Sequence, residues 1–417
     1  MSKKDVKELV CQFYLDNKKE CDCLYSNAES EEVARFYEMV ENKDIIHNLF
    51  MQVSIVVLTA NKYEKNILHY NIYHKNNETI KKIKIDLFPQ REEKNATNAY
   101  WFKWRNYTVL NIEAQSTGSY TIGGSADIIR YVTECEHLFP TTIVSLGICF
   151  GVDETKHKLG DVVISEKIYP YFIGSKISET GYFVNDNNMF KINSDLHLNI
   201  TSCMDENWFS NLQTNVYFGN YITGEAVVSR KKARDEFVKT TKQPIIAGEM
   251  EGYGVFKECN GANYKIPCFI IKSICDWATM KNFDAKSTFE NISAVNIEEK
   301  EIKTLKDRIQ AYCSQQAFHV LDKILDKHFL QDSLYIELIK SIASIRGGTI
   351  FASRIRDNAQ QLAAKFSLGI TVSDLFIIDF IKNLQENNII LNDTDEIAKT
   401  LDIWSESFLI LKENIYV

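Results

Sequence analysis

The chain has 417 residues, of which 45% are hydrophobic, 12% aromatic and 25% charged, with 17 glycines and 5 prolines. This composition fills large cores, which excludes intrinsic disorder and collagen-like repeats, and the length corresponds to two or three domains. The 56 acidic residues outnumber the 48 basic ones, and the resulting net charge of −8 disfavours non-specific nucleic-acid binding.

No apolar run reaches the roughly 18 residues of a membrane helix, and the basic first residues are not followed by the apolar core of a signal peptide. The ten cysteines form no CxxC pair and have no histidine partners at zinc spacing, so we expect neither a disulfide framework nor a bound metal. We therefore predict a cytoplasmic protein without cofactor that binds neither membranes nor nucleic acid.

The first fifty residues have the pattern of helices. Apolar side chains from Val6 to Tyr14 recur at three- and four-residue spacing, and a second amphipathic stretch covers about residues 31–50. We predict a helical N-terminal extension over residues 1–50, appended to the part of the chain that carries chemistry.

From about residue 51 the pattern changes to strands that alternate with helices. Val53–Thr59 is apolar and β-branched, as in a strand buried on both faces of a parallel sheet, and a helical stretch follows from Asn61. Similar apolar runs, with helical patterns between several of them, recur at residues 107–112, 141–146, 161–164 and 267–272. The alternation predicts an α/β sandwich around a mostly parallel sheet, and the polar residues 285–308 are predicted to be a surface insertion.

The last part of the chain, residues 329–417, is predicted to be a helical, strand-poor C-terminal domain. Its pattern at residues 362–387 is typical of helix, turn, helix, and Ser373 or Asp374 is placed to cap the second helix. Such an arrangement can bind DNA, but the apolar face that includes Phe376 and Phe380 favours a packing role.

Three short segments with chemically useful side chains each follow a predicted strand. They are Leu58–Glu64, Gly147–Gly151, and Glu249–Glu251 together with Lys272–Asp276. Ligands of open parallel sheets bind at the carboxyl ends of the strands, which allows these segments to converge on one cleft. Taken singly each signal is weak, because a glutamate in a first helical turn is usually a surface residue that compensates the helix dipole.

The order of these motifs resembles that of the nucleoside phosphorylase superfamily, and within it the 5′-methylthioadenosine/S-adenosylhomocysteine nucleosidases. The resemblance covers about residues 52–328 and implies a three-layer α/β/α nucleoside phosphorylase-like domain over residues 51–328, with helical additions at both ends. The matching motifs are Thr59–Glu64, Gly147–Gly151, Leu159–Asp161, Ile222–Glu225, Glu249–Glu251 and Ser273–Asp276.

The resemblance implies a purine nucleosidase that hydrolyses the C1′–N9 bond. In that reaction Asp276 is the acid that protonates or hydrogen-bonds purine N7, and Glu64 positions or deprotonates the attacking water. The substrate-binding residues implied in the same way are Glu251 at the ribose hydroxyls, Met250 against the sugar, Gly147 and Ile148 in the pocket wall, and Val228 at the base edge.

Two other functions stay open. Phosphorolysis needs arginines and a hydroxyl near the glycine turns. Phosphorylases of the superfamily have Arg-x-Gly-Ser at the second motif, and this chain has Ser145 and Ile148 at the positions of the arginine and the serine. Water is therefore favoured as the nucleophile. A non-catalytic nucleotide-sensing module is the other alternative, although such a sensor does not need the acids Glu64, Glu251 and Asp276.

The 5′ group of the substrate is also open. Methylthioadenosine requires an apolar pocket, whereas a nucleotide such as AMP or ATP requires cations, for which Lys62 is the best candidate because it lies two residues before Glu64. Superfamily domains with extra helical regions resemble the nucleotide-depleting nucleosidase effectors of bacterial anti-phage systems. The resemblance further implies a homo-oligomer, a dimer or larger, whose helical ends are available to bind a further protein.

Overall fold

A computed structural model gives the structure of the protein. It describes residues 3–30, 32–88, 96–116, 118–171, 176–178, 181–183, 189–225, 228, 231–261, 265–278, 285–292, 302, 305–328, 330–344, 348–366, 372–386 and 408–411. No helix in this described part combines the length and the apolar character that crossing a bilayer requires.

Helices and strands alternate along most of the described chain. In chain order they are α1 (Lys3–Asp16), α2 (Lys18–Glu29), α3 (Glu32–Arg35), β1 (Tyr37–Val40), α4 (Lys43–Met51), β2 (Ile55–Thr59), α5 (Lys62–Asn76), β3 (Ile80–Asp86), β4 (Ala96–Trp104), β5 (Tyr107–Glu113), α6 (Ser125–Glu134), β6 (Thr142–Gly151), β7 (Val162–Pro170), β8 (Lys176–Ser178), β9 (Gly181–Phe183), β10 (Phe190–Lys191), α7 (Ser194–Asp205), β11 (Val216–Thr223), α8 (Lys231–Thr241), β12 (Ile245–Glu249), α9 (Gly252–Cys259), β13 (Cys268–Asp276), α10 (Ala285–Ile292), α11 (Leu305–Asp326), α12 (Leu334–Ala343), β14 (Gly348–Phe351), α13 (Ala352–Lys365), α14 (Asp374–Glu386) and β15 (Phe408–Leu411).

A single mixed sheet forms the centre of the molecule, with strand order β1-β3-β4-β5-β2-β6-β12-β11-β7-β10. Strand β13 pairs with both β6 and β7, so that β6, β13, β7, β11 and β12 close into a ring. The strands β2, β5, β6 and β13 run parallel to one another. Their carboxyl ends therefore lie at one edge of the sheet, where the sequence motifs were expected to converge.

The strand predicted first, β2, shows why the sequence pattern worked in the centre of the sheet. All five residues of Ile55–Thr59 are buried, and parallel partners flank the strand on both sides. β-branched and leucine side chains suit such a position because both faces of a central parallel strand are covered.

Helices cover both faces of this sheet. Helices α2, α5 and α11 pack together, and α11 lies against β6 and β13; helices α6 and α9 form a second packed pair, and α9 also contacts β6, β7 and β13. The predicted three-layer α/β/α architecture is confirmed.

The N-terminal fifty residues were predicted to be helical, but they also contain a strand. Tyr37–Val40 forms β1, the edge strand of the main sheet, paired in parallel with β3. A run of only four residues, two of them exposed, carries too little alternation to be distinguished from a helix by sequence. This extension is thus joined to the sheet by backbone hydrogen bonds.

The predicted surface insertion at 285–308 is also partly wrong. Its first residues form α10, whose Phe289 is buried beside the ring of Tyr14 in α1, with 6.4 Å between the centroids. Helix α11 begins within the predicted insertion at Leu305, which is buried. Residues 293–301, 303 and 304 lie outside the described part.

The C-terminal region is helical in α12, α13 and α14 but also contains the antiparallel pair β14 and β15. The predicted cap is confirmed, because the Ser373 hydroxyl accepts the Phe376 N–H at 3.1 Å at the start of α14. The predicted turn before it, residues 367–371, lies outside the described part. The division of the chain into three domains at residues 50 and 328 stays a prediction.

Candidate active site

Glu64 lies in the first turn of α5, directly after the buried strand β2. Asn61 caps this helix: its side-chain oxygen accepts the N–H groups of Tyr63 and Glu64 at 2.9 and 3.1 Å. Oxygen Oε2 of Glu64 accepts in return the N–H groups of Ala60 and Asn61 at 2.5 and 3.1 Å. This reciprocal capping box fixes the side chain of Glu64 at the strand end.

The other oxygen of Glu64 is held by the second predicted motif. Oε1 accepts the Ile148 N–H at 2.9 Å, and a Cβ at Gly147 would lie 2.1 Å from the same oxygen. Only glycine therefore leaves room for the Glu64 carboxylate over β6. The side chain is 3% exposed, which excludes the surface role that is usual for a first-turn glutamate.

Lys272 of β13 brings the third motif to the same place. In the sheet register Lys272 is paired with Gly147, and side chains of paired residues lie on the same face. The Glu64 carboxylate, which lies in the space of the missing side chain at position 147, therefore neighbours the Lys272 side chain. The ammonium group of Lys272 donates to Glu251 and lies 3.3 Å from an oxygen of Glu249.

These buried charges shift one another's pKa values. Burial raises the pKa of Glu64 to about 7, because the opposing effect of Lys272 and of two backbone N–H groups is smaller. Burial lowers the pKa of Lys272, but the neighbouring carboxylates outweigh it and hold this pKa above its usual range. Burial raises the pKa of Glu251, yet the Lys272 ammonium overcomes that effect, so the net pKa is lowered and Glu251 stays ionised.

Glu249 organises the backbone at the start of α9. Its carboxylate accepts the Glu251 N–H at 2.9 Å and the Gly252 N–H at 2.9 and 3.1 Å. Burial raises the pKa of Glu249, the opposite direction from Glu251. The two glutamates of the Glu-Met-Glu motif thus have different tasks, since Glu249 fixes the turn and Glu251 carries the charge that Lys272 neutralises.

The loop between β5 and α6, together with the first residue of α6, contacts this turn. The hydroxyl of Ser119 donates to the Met250 carbonyl at 3.0 Å, and the hydroxyl of Ser125 donates to the Glu251 carbonyl at 2.7 Å. The carboxylate of Glu225 accepts the backbone N–H groups of Ser119 and Tyr120, both at 3.1 Å. These bonds fix the positions of Met250 and Glu251 relative to the rest of the site.

Asp276 lies at the last position of β13, four residues beyond Lys272. Its Oδ1 accepts the Ala278 N–H at 2.7 Å, and burial raises the pKa of its carboxyl group. Buried Cys149 of β6 is paired in the sheet register with Ile274 of β13, which lies between Lys272 and Asp276. Burial raises the pKa of the Cys149 thiol, and the charges of Lys272, Glu249 and Asp276 all act on it.

Val228 lies on the Asp276 side of the site. It is buried in an apolar cluster with Phe150 and Ala278, the residue whose N–H binds Asp276. Arg234 of α8 holds the backbone next to Asp276, because its buried guanidinium donates to the Trp277 carbonyl at 3.0 Å.

Of the predicted site residues, the structure brings Glu64, Gly147, Ile148 and Glu251 together around Lys272, with Met250 in the same turn as Glu251. Asp276 lies at the end of the strand that carries Lys272, and Val228 shares an apolar cluster with Ala278, the residue that binds Asp276. Lys62 is different. Its ammonium lies 2.5 Å from Glu29 of α2, and its side chain is 54% exposed. The roles of all these residues toward a substrate, including that of Lys62, stay predictions.

A family profile described as the phosphorylase superfamily matches residues 85–306, more than half of the chain. The chain belongs to this superfamily. It is similar to a death domain-containing ATP nucleosidase of Amphimedon queenslandica, with 24% identity over 212 residues. The match covers 46% of this chain and 39% of the relative, so the chain spans about two fifths of the length of that curated protein.

Solved structures that resemble the fold include a 5′-methylthioadenosine/S-adenosylhomocysteine nucleosidase from Neisseria meningitidis in complex with methylthio-immucillin-A, at 14% identity and a TM-score of 0.46. Futalosine hydrolase of Helicobacter pylori is similar at 14% identity and a TM-score of 0.47. Each match covers 66% of this chain and 99% of the other.

Sequence reasoning missed the residues that support the site from β13 and from the loop before α6. Lys272 was predicted as part of the motif Lys272–Asp276, whereas the structure shows it buried and paired with Glu251. Ser119 and Ser125 were not considered. The pair Gly123-Gly124 directly before the first turn of α6 was the available signal, because glycines between a strand and a helix often mark a ligand-binding loop.

Proposed function

We propose that this chain is a hydrolase that cleaves the N-glycosidic C1′–N9 bond of a purine nucleoside or nucleotide and releases the free base. The observation that supports this proposal is the buried arrangement of Glu64, Lys272 and Glu251, with Asp276 at the carboxyl end of the strand that carries Lys272. Cleavage leaves an oxocarbenium-like sugar and an anionic purine, so it requires negative charge at the sugar and an acid at the base.

Glu64 acts on the water in this proposal. With a pKa of about 7, a substantial fraction of its carboxyl groups is ionised near neutral pH, and each ionised group is basic enough to take a proton from the attacking water. Three backbone N–H groups fix its orientation. Water is favoured over phosphate because the turn at Gly147 and Ile148 provides no arginine.

Asp276 acts on the leaving group. Burial raises the pKa of its carboxyl group, which favours the protonated form that can donate to purine N7. The Ala278 N–H holds Oδ1 of this carboxyl group, and the other oxygen, Oδ2, has within the described part of the chain only the weak donor Cys275 Sγ at 3.9 Å, so in this proposal Oδ2 carries the proton. Glu251, which Lys272 keeps ionised, accepts hydrogen bonds from the ribose hydroxyls, and Met250 packs against the sugar.

For the 5′ group we propose a nucleotide, because the similar protein of Amphimedon queenslandica is named an ATP nucleosidase. Lys62 is the cation assigned to the phosphates, and to bind them it has to exchange its partner Glu29. Replacing Lys62 by alanine should then raise KM for AMP and ATP but leave KM for adenosine unchanged. If the replacement leaves KM for AMP and ATP unchanged as well, Lys62 does not bind the phosphates.

The proposed reaction is tested by incubating the full chain with adenosine, methylthioadenosine, AMP, ATP and NAD, with and without phosphate, and measuring free base by chromatography. We expect release without phosphate and its loss in Asp276→Asn. Release that requires phosphate would identify a phosphorylase instead. Release from no substrate would favour the nucleotide-sensing alternative.

We further propose a cytoplasmic homo-oligomer that depletes nucleotides in antiviral defence, with the helical ends as the part that binds a further protein. This proposal rests on the likeness of a nucleosidase domain with extra helical regions to anti-phage effectors. Light scattering of the purified chain tests the oligomer, and plaque counts in bacteria that express the wild type or the Asp276→Asn variant test the defence role. Equal plaque counts would contradict that role.

A further inference from the structure

A second cluster of titratable side chains lies outside the candidate active site, where α14 meets the rest of the chain. It consists of His47 in α4, His137 in the turn after α6 and Asp379 in α14. Their ligand atoms all lie within 4.8 Å of one another. Among the residues that the structure describes, no other three histidine, cysteine or acidic side chains come together in this way.

Two of the three distances in this cluster are close to those between metal ligands. Nδ1 of His137 lies 3.2 Å and Nδ1 of His47 lies 3.6 Å from the same carboxylate oxygen of Asp379. In a tetrahedral site with bonds of about 2.0–2.1 Å, neighbouring ligand atoms are about 3.3 Å apart. The buried Nδ1 of His137 makes no hydrogen bond to any residue that the structure describes, despite its contact with Asp379, so its lone pair is available to a cation.

We propose that His47, His137 and Asp379 bind one divalent transition-metal ion of the zinc type, with water completing its coordination. Two imidazoles and a carboxylate are a donor set that such ions accept. The two rings stack with centroids 3.8 Å apart and planes at 18°. Because a metal lies in the plane of the ring that binds it, one ring has to turn, and His47, with a side chain 36% exposed, has the space.

The bound ion would anchor the C-terminal helical region. Asp379 is carried by α14, which already contacts the turn after α6 in two places. The Ser373 hydroxyl donates to the Glu136 carbonyl at 2.9 Å, and the rings of Phe376 and Phe139 meet edge to face at 4.8 Å. A cation at this point would join α4, the turn after α6 and α14. The three ligands are distant in the sequence, so the spacing argument against a metal could not detect them.

The test uses the full chain after treatment with EDTA and dialysis. Zinc is titrated, bound zinc is measured by atomic emission, and cobalt(II) is added separately to record its visible absorption. We expect one zinc per chain at micromolar free zinc, and affinity at least about tenfold lower in His137→Gln and Asp379→Asn. Zinc should raise the melting temperature of the wild type and leave that of both variants unchanged.

The control is His328→Gln, which removes an exposed histidine at another place and should bind zinc like the wild type. Circular dichroism checks the fold of each variant, and His47→Gln serves as a third site variant because that ring is the most exposed. Zinc binding that persists in all site variants, for example at the free thiols, would overturn the proposal. Absence of binding to the wild type would overturn it as well.

Discussion

An oxygen of the Glu64 carboxylate lies where a side chain at position 147 would begin, since a Cβ on Gly147 would be 2.1 Å from Oε1. Because Glu64 is held by three backbone N–H groups, it cannot move aside without losing its cap or its bond to Ile148. Position 147 therefore has to be a glycine for the Glu64 carboxylate to stay where it is.

Replacing Gly147 by alanine should therefore displace Glu64 and lower kcat/KM by about 10²-fold, the usual cost of a displacement of about 1 Å in a reacting group. The measurement is base release under steady-state conditions. Gly261→Ala is the matched control, because its Cβ would meet its nearest neighbour at an ordinary 3.4 Å. Equal activity of the two variants would contradict a catalytic Glu64.

Glu64 also makes stability depend on pH. Burial above all raises its pKa from 4.5 to about 7, so the folded chain binds this proton more tightly than the unfolded chain. Glu64 therefore stabilises the fold fully below pH 4.5, and this contribution is lost as the pH rises through about 7. Glutamine does not titrate, so it lacks this dependence.

In urea unfolding, the free energy of unfolding of the wild type relative to that of Glu64→Gln should fall by about 2 kcal/mol between pH 5 and pH 8. The glutamine amide can be less favourable than the carboxyl group beside the Ile148 N–H, but this cost does not depend on pH. It therefore cancels when the free energies at the two pH values are subtracted. A difference that does not change with pH would show that Glu64 is ionised throughout this range.

Asp276→Asn should preserve the fold, because the amide oxygen can still accept the Ala278 N–H. Loss of the acid should lower kcat by about 10²–10⁴-fold. The residual rate then depends on Glu64, so it should still rise through about pH 7, whereas any decline of the wild-type rate that comes from loss of the Asp276 proton should be absent. Asp195→Asn, an exposed position, is the control. If the rate of the Asp276→Asn variant still declines at high pH, another titrating group causes that decline.

Lys272→Met should leave the carboxylates around it without their cation. Removing one partner of a buried ion pair typically costs about 3–5 kcal/mol, and the loss should be measured by urea unfolding. The double variant Lys272→Met/Glu251→Gln should lose less than the sum of the single losses. Lys62→Met removes an exposed pair and should cost less than about 1 kcal/mol. Additive losses for Lys272 and Glu251 would contradict their coupling.

The contrast between Lys272 and Glu64 shows what the sequence can predict in this site. Glu64 was predicted because it lies in the first helical turn after a buried strand and because the order of the motifs resembles that of the superfamily. The pairing of Lys272 depends on where β13 places it relative to α9, and no local pattern records that position. The strand β1 was missed for the same reason, since its four residues are extended only because β3 pairs with them.

Arg234 is a positioning residue for Asp276. Its buried guanidinium donates to the Trp277 carbonyl at 3.0 Å, and its charge also lowers the pKa of Asp276 against the larger effect of burial. Replacing Arg234 by methionine should lower kcat about tenfold by loosening the strand end. It should also raise the pKa of Asp276 further, because a positive charge is removed.

Carbon-13 NMR of aspartate-labelled protein can follow the titration of Asp276, with the resonance assigned by its absence in Asp276→Asn. Arg234→Lys keeps the charge but loses the planar donor fork, so kcat should fall while the pKa of Asp276 stays near that of the wild type. A purely structural Arg234 would lower kcat in both variants and leave the Asp276 titration unchanged in both. An upward shift confined to Arg234→Met therefore separates the electrostatic role from the packing role.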